Sequence, residues 1–225
     1  GTDDIELASD AVPCLSLRAG TVAGVPARVF RVSFTGELSY EINVPASFGM
    51  SVWTALMNAG ETYGITPYGT ETMHVLRAEK GYIIVGQETD GTTTPDDLGM
   101  SWIVSKKKPD FIGRRSLARA ASRRADRKQL VGLLPADPET VLPEGSQITA
   151  GRQERPPRGT VVPMIGHVTS SYRSATLDRS FALALVKGGR GLIGETVYLP
   201  LASGPVAAEV VGPVFYDAEG ARQDG

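Results

Sequence analysis

The stretch from Arg31 to Asn43, RVSFTGELSYEIN, constrains the fold most. Apolar and polar side chains alternate through it, stop at Thr35-Gly36-Glu37 and resume. Phe30, Val32 and Phe34 share one parity before the break, and Leu38, Tyr40, Ile42 and Val44 keep it afterwards. A period of two is the spacing of a strand with one buried face, so the pattern predicts a hairpin of two half-buried strands over 27–44. Side chains alternate across a sheet, which puts Ser39, Glu41 and Asn43 on the face away from the apolar row. Whether that other face meets water or a ligand decides what Glu41 does.

The chain has 225 residues, 41% of them hydrophobic and 21% charged. That is enough for one large or two ordinary domains of a soluble globular protein. No apolar run approaches the roughly 18–20 residues of a membrane-spanning helix. The acidic start GTDDIELASD lacks the basic segment and apolar core of a secretory signal, and a first residue other than methionine suggests a longer protein that has been cut. One cysteine, Cys14, leaves no internal disulfide framework and fits a reducing compartment, so the expected location is cytoplasmic.

The net charge of −2 is unevenly spread. From Ser105 to Lys128, ten basic residues (Lys106, Lys107, Lys108, Arg114, Arg115, Arg119, Arg123, Arg124, Arg127 and Lys128) stand against Asp110 and Asp126, so this segment carries +8 and the rest of the chain −10. Such a run can meet an acidic partner, a polyanionic ligand or nucleic acid, or form a solvated helix face. No nucleic-acid motif or interleaved aromatic platform accompanies it, and nucleic acid is the weakest of these readings.

Residues 1–20 read as an irregular lead-in. Helices are predicted over 46–59, with Trp53 in the core and Gly60 as the stop, and over 70–80, with Gly81 as the stop. Arg77 lies near the end of the second helix, where a cation also favours the helix dipole. Short strands are predicted over 82–85 and 101–104, a helix start at Thr94-Pro95, and a helix over 113–126. Near Leu130 the texture changes. Short apolar runs over 129–134, 165–169, 181–186, 196–201 and 206–214, separated by Gly, Pro and Asp, are the spacing of a small β-barrel or sandwich.

Few groups suggest chemistry. His74 and His167 are far apart without a ligand cluster, so no metal site is expected. Cys14 has no evident catalytic partner, and no Walker loop or dinucleotide fingerprint is present. The adjacent pairs Glu79/Lys80 and Asp96/Asp97 point in different directions and make poor acid–base pairs. Glu41 and Arg77 remain. Strand carboxylates usually face water, but a ligand edge with two adjacent N–H donors would partner Glu41 strongly.

RVSFTGELSYEINVP, GITPYGTETMHVLRAEKGY, GQETDGTTTPDDLGMSWIV, KPDFIGRRSL, and IGHVTSSYRSATLDRSFALALVKGGR with PVFYD together resemble the folate-binding aminomethyltransferase family, the T-protein of glycine cleavage and its relatives. The likeness runs in register from about Thr21 to the end. Within the family, GTVAGVPARVFRVSFTGELSYEINVP, GHVTSSY and VVGPVFYDAEGARQDG are similar to the branch formed by the C-terminal part of heterotetrameric sarcosine oxidase α subunits.

The resemblance implies an α+β class in which residues 1–129 form the middle, ferredoxin-like α+β domain of the family fold and residues 130–225 a C-terminal antiparallel β-barrel. It implies that Glu41 binds the pterin ring of tetrahydrofolate, that Arg77 in the LRxExG motif contacts the pterin or the folate tail, and that Trp102 lines the site or packs in the core. The family's catalytic aspartate would precede Gly1, so no catalytic residue is assigned and the isolated segment is expected to be inactive. Gly91, where the family commonly has an acid, and Ser171, where it commonly has Gly, depart from the T-protein pattern.

The implied reaction is oxidation of sarcosine to glycine, formaldehyde and hydrogen peroxide, with one-carbon transfer to tetrahydrofolate giving 5,10-methylenetetrahydrofolate. FAD or FMN and NAD are expected elsewhere in the full complex, and the partners expected are the other oxidase subunits and the preceding part of the same chain, with no nucleic acid and no membrane. The alternatives are an aminomethyltransferase acting with a lipoyl carrier protein, and a scaffold segment that has lost folate binding.

Overall fold

Three strands account for the alternating stretch, with a register that its parity does not predict. In a computed structural model that describes residues 4, 5, 7, 12–154 and 159–224, the chain divides into two compact units, residues 1–77 with 219–225, and residues 78–218. In the first, β1 (Ser16–Val22), β2 (Val25–Arg31) and β3 (Tyr40–Asn43) form an antiparallel sheet in the order β1-β2-β3. The tight hairpin joins β1 to β2 through Ala23 and Gly24, both at positive φ (51° and 74°), a two-residue turn whose twist suits paired strands.

β2 and β3 also pair, but Arg31 stands opposite Tyr40 and residues 32–39 form a loop in place of the expected turn at Gly36. That register couples odd positions to even ones. A slip of one residue moves a whole side-chain set to the other face. Hence Val25, Ala27, Val29 and Arg31 point inward on β2, while Phe30 lies across from Glu41 on the opposite face, contrary to the parity expectation.

The inward face packs on α1 (Gly49–Gly60): Val22, Val25, Ala27, Val29 and Val52 form the core, with Tyr40, Ile42, Val44 and Leu56 against it. Gly60 lies inside the helix, where a Cβ would fall 2.6 Å from Cβ of Ile65. The chain turns only at Gly64 (φ 70°), after a 3-10 turn over Glu61–Tyr63. Trp53, expected in the core, is 52% exposed. The Arg31 guanidinium is buried and donates to the carbonyls of Val12 (3.1 Å) and Gln223 (2.8 Å), which ties both ends of this unit to its sheet. α2 (Thr70–Glu79) follows, with Gly81 at φ 72°, as the sequence predicts.

The second unit contains the barrel, from residue 128 onward. β4 (Lys128–Pro135), β5 (Gln147–Ile148), β6 (Gly166–Ser174), β7 (Arg179–Lys187), β8 (Thr196–Leu201) and β9 (Gly204–Val211) run in the order β5-β6-β7-β4-β9-β8, all antiparallel. Thr149 and Tyr198 exchange backbone hydrogen bonds of 2.8 and 3.0 Å and close the two edges. Val131, Leu133, Ile148, Val168, Ala182, Ala184, Val197, Leu199 and Val210 fill the interior. On β7 both faces are buried. Phe181, on the opposite parity to Ala182 and Ala184, meets the Phe215 ring edge-on at 4.7 Å, so the outer face is covered too.

In the part of the second unit that precedes the barrel, the predictions fail in one direction. Residues 82–85 form no strand; the amides of Gln87 and Glu88 both donate to the Ile84 carbonyl in a turn. Residues 101–103 are a 3-10 turn instead of a strand, and the helix predicted over 113–126 shrinks to α3 (Arg114–Leu117) and a 3-10 turn over Ala120–Arg123. No residue from 98 to 129 is buried. A helix whose apolar side finds no surface to pack on gains too little to propagate.

Candidate functional site

Glu41 sits in β3 with Phe30 opposite it on β2, and Leu17 of β1 stands opposite Phe30, so one outer row of the sheet reads Leu17–Phe30–Glu41. Leu17 is 43% exposed, Phe30 is half-buried and Glu41 is exposed. The Glu41 carboxylate makes no hydrogen bond or ion pair among the described residues, so both oxygens are available to a ligand. A carboxylate bordered by an apolar cross-strand row suits a flat heteroaromatic ring: apolar contact for its face and two acceptors for adjacent N–H groups on its edge. Tyr40, on the opposite parity, packs against the core and donates its hydroxyl to the Leu7 carbonyl at 2.8 Å.

Arg77, in the last turn of α2, is 1% exposed. Burial of a guanidinium is costly unless its hydrogen bonds are met, so such a position is held by surrounding structure and not by solvent. Trp102 lies on the 3-10 turn Ser101–Ile103 and is 77% exposed, which excludes the core role. The sequence assigns Glu41, Arg77 and Trp102 to one domain over 1–129; the structure places Glu41 and Arg77 in one compact unit and Trp102 in the other.

Sequence reasoning missed a buried polar framework in the second unit. Glu79 and Lys80 are almost fully buried: Glu79 accepts from Ser174 Oγ at 2.6 Å, and Lys80 binds the Asp217 carboxylate at 2.7 Å. Glu88 is wholly buried, accepts from the Ile84 amide at 2.8 Å and is bonded to Ser170 Oγ. The signal available was the run Thr169-Ser170-Ser171 in the middle of the strand GHVTSSYRS. Small hydroxyls at core positions are partners for buried polar groups, and β6 is bulged there, between Val168 and Ser170.

The loop between Glu88 and Asp97 is organised by two carboxylates. Oδ1 of Asp90 accepts from the amides and hydroxyls of Thr92 and Thr93, and these hydrogen bonds, Thr92 first, lower its pKa to about 2. Burial pushes the Asp97 carboxyl up. The Arg127 guanidinium, bonded through Nε at 2.7 Å and Nη2 at 2.6 Å, and Thr94 outweigh that and hold it below the usual range. The reciprocal Thr94–Asp97 bonds are the capping arrangement anticipated at Thr94-Pro95, although only a turn follows. His167 is lowered from 6.5, by burial first and then by Lys128, whose Nζ lies 3.1 Å from its Nδ1. Among the described residues no group of His, Cys, Asp and Glu is placed to hold a metal ion, and Cys14 is exposed.

Comparison with known proteins agrees with this architecture. Residues 1–108 match the family described as the GCVT N-terminal domain, and residues 128–217 match the glycine cleavage T-protein C-terminal barrel domain. The glycine cleavage system aminomethyltransferase T of Bartonella henselae has the same fold, with a TM-score of 0.71 at 23% identity over 85% of this chain and 50% of that one. The chain therefore belongs to the glycine cleavage T-protein, or aminomethyltransferase, family. Within that family it is similar to the sarcosine oxidase subunit alpha of Corynebacterium sp. (strain P-1), with 49% identity over 98% of this chain, and to the aminomethyltransferase of Streptomyces coelicolor (strain ATCC BAA-471 / A3(2) / M145), with 37% identity over 88%. The chain spans 23% of the length of that oxidase subunit and 51% of that of the aminomethyltransferase.

Proposed function

We propose that this chain is the folate-binding region of a sarcosine oxidase α subunit and contributes to one-carbon transfer from sarcosine to tetrahydrofolate. The observation that carries the proposal is Glu41: an exposed strand carboxylate with no partner among the described residues, beside Phe30 and Leu17 on one face of the sheet. The residues fit a pterin. Glu41 accepts hydrogen bonds from its adjacent ring N–H and amino group, and Phe30 offers apolar contact. Arg77 contributes a fixed positive charge toward an anionic folate. Tetrahydrofolate supplies the nucleophilic nitrogens that capture the one-carbon unit.

In this proposal residues 1–129 carry the ligand-facing part and residues 130–225 the supporting barrel. Sarcosine oxidation, with release of hydrogen peroxide, belongs to flavin-bearing parts outside this chain. The test is tetrahydrofolate titration of the complete oxidase. One charge-assisted hydrogen bond contributes about 1.5 kcal/mol, or roughly tenfold in Kd, so Glu41→Ala is expected to weaken binding by that factor or more and to lower the yield of 5,10-methylenetetrahydrofolate per hydrogen peroxide formed. Unchanged affinity would remove Glu41 from the site.

The second reading, an aminomethyltransferase acting with a lipoyl carrier, is favoured by the likeness to the Streptomyces coelicolor enzyme. The gene upstream separates them: a long dinucleotide-binding region supports the oxidase, and a short segment supports the transferase.

A further inference from the structure

The segment from 98 to 129 contains no buried residue, yet it carries Trp102 (77% exposed), Ile103 (50%) and Ile112 (105%). Ile103, Val104, Phe111, Ile112 and Leu117, with Lys108 at the margin, line an open cleft of about 480 Å³. The same stretch of chain carries seven exposed cations between Lys106 and Arg123, of which Lys108 lines the cleft; none of their side chains makes a hydrogen bond or ion pair among the described residues, and a single acid, Asp110, lies among them in the sequence. The neighbouring arginines behave differently: Arg124 is paired with Asp126, and Arg127 with Asp97.

An exposed apolar cleft on a segment rich in unpaired charge has the composition of a protein–protein interface, apolar at its core and polar at its rim. Contiguous exposed apolar surface rimmed by polar groups marks such a site. Seven unneutralised cations call for a cover that brings acids of its own, since desolvating them unpaired is costly. They suit a separate molecule that is steered in by charge and leaves the rim partly wet.

We infer that residues 102–123 are a docking surface for another subunit of the same oxidase, through an acidic patch that surrounds an apolar side chain seated in the 103–117 cleft. This rests on the sarcosine oxidase reading for the existence of such a subunit; the surface itself is read from charge and exposure.

The test uses the complete α chain produced with its partner subunits, wild type and two variants: the triple Lys106→Glu, Lys107→Glu, Lys108→Glu, and Ile112→Ser. All four positions are exposed, so both variants keep the fold, which circular dichroism checks. Subunit association is measured by analytical ultracentrifugation at 50 and 500 mM salt, and amide exchange over 100–123 is followed in the α chain alone and in the complex. The expected result is at least tenfold weaker association of the wild type at high salt, and a tenfold or greater loss for the triple variant with a flattened salt dependence. Ile112→Ser is expected to lose several-fold with the salt dependence intact, and amide protection to appear only in the complex. Wild-type affinity in both variants would overturn the inference. So would full protection in the α chain alone, which assigns the cover to the remainder of that chain, or protection that appears on self-association. Failure of the wild type to bind folate or oxidise sarcosine would count against the functional reading and leave the association data to judge the surface.

Discussion

Replacing Asp97 by alanine tests whether the loop that follows Glu88 is held by charge. Asp97 is 2% exposed, and its carboxylate accepts from the Thr94 amide (2.7 Å) and hydroxyl (2.8 Å) and from Nε and Nη2 of Arg127 (2.7 and 2.6 Å). A neutral hydrogen bond contributes about 1 kcal/mol net and one to a charged group about 1.5–3. Alanine loses all four, but bonds sharing one carboxylate are not additive, and the Arg127 side chain, 22% exposed, regains some water. The expected cost is therefore the lower end of the range for breaking a buried pair, about 3 kcal/mol. For a chain of this length that is roughly 6–12 °C in Tm. The Leu130 amide still donates to the Asp97 carbonyl (2.8 Å), so β4 keeps its entry and the fold survives. Urea unfolding of Asp97→Ala, Arg127→Ala and the double variant gives the coupling, expected at about 1.5 kcal/mol or more, whereas the exposed Arg124–Asp126 pair should couple distinctly less. A cost for Asp97→Ala below about 1 kcal/mol, or equal coupling in the two pairs, would refute the reasoning.

Acid should act on the same loop. The Asp97 carboxyl is lowered from 3.8 and that of Asp90 to about 2, so their stabilisation is complete above the ordinary value of 3.8 and is lost as pH falls through the folded values; carboxyl NMR should place the Asp90 inflection near pH 2. His167, lowered from 6.5, contributes stability above that value that is lost as pH falls toward its folded pKa. Lys128→Met should raise its NMR midpoint only in part, because burial, the larger cause, remains. Gly132→Ala would place a Cβ 2.5 Å from the Gly212 carbonyl oxygen and 2.6 Å from the Phe215 ring, and urea unfolding should show about 1–3 kcal/mol of overpacking. Ser170→Ala removes a hydroxyl partner from the wholly buried Glu88 and should cost about 1–3 kcal/mol by the same measurement.

The barrel was legible because its strands are short apolar runs cut by Gly, Pro and Asp. The run predicted over 196–201 coincides with β8, and those over 129–134 and 181–186 fall inside β4 and β7. Closure was not legible, since it depends on the Thr149–Tyr198 pairing across distant parts of the chain. The strands predicted over 82–85 and 101–104 failed for a different reason. Their apolar residues gather no partner strand, and Val85 and Trp102 end up 85% and 77% exposed. Periodicity describes what a segment could bury; pairing and cover decide whether it does.

The same limit governs Glu41. Alternation reports parity within a strand, whereas the faces of neighbouring strands are related by register, and the loop over 32–39 reverses the relation that a turn at Gly36 would have given. On β3 alone the parity holds: Tyr40 and Ile42 pack inward and Glu41 faces out. Across the sheet it does not, and the correction changes the chemistry. With Phe30 on the inner face, Glu41 would stand on a wholly polar surface, where a carboxylate gains most by staying hydrated. With Phe30 and Leu17 in its own row, it borders apolar surface on one side and water on the other. A ligand that is flat, apolar on its faces and a double donor along one edge satisfies both at once, whereas water satisfies only the carboxylate. The register thus supplies a reason for a ligand at Glu41 that parity alone could not.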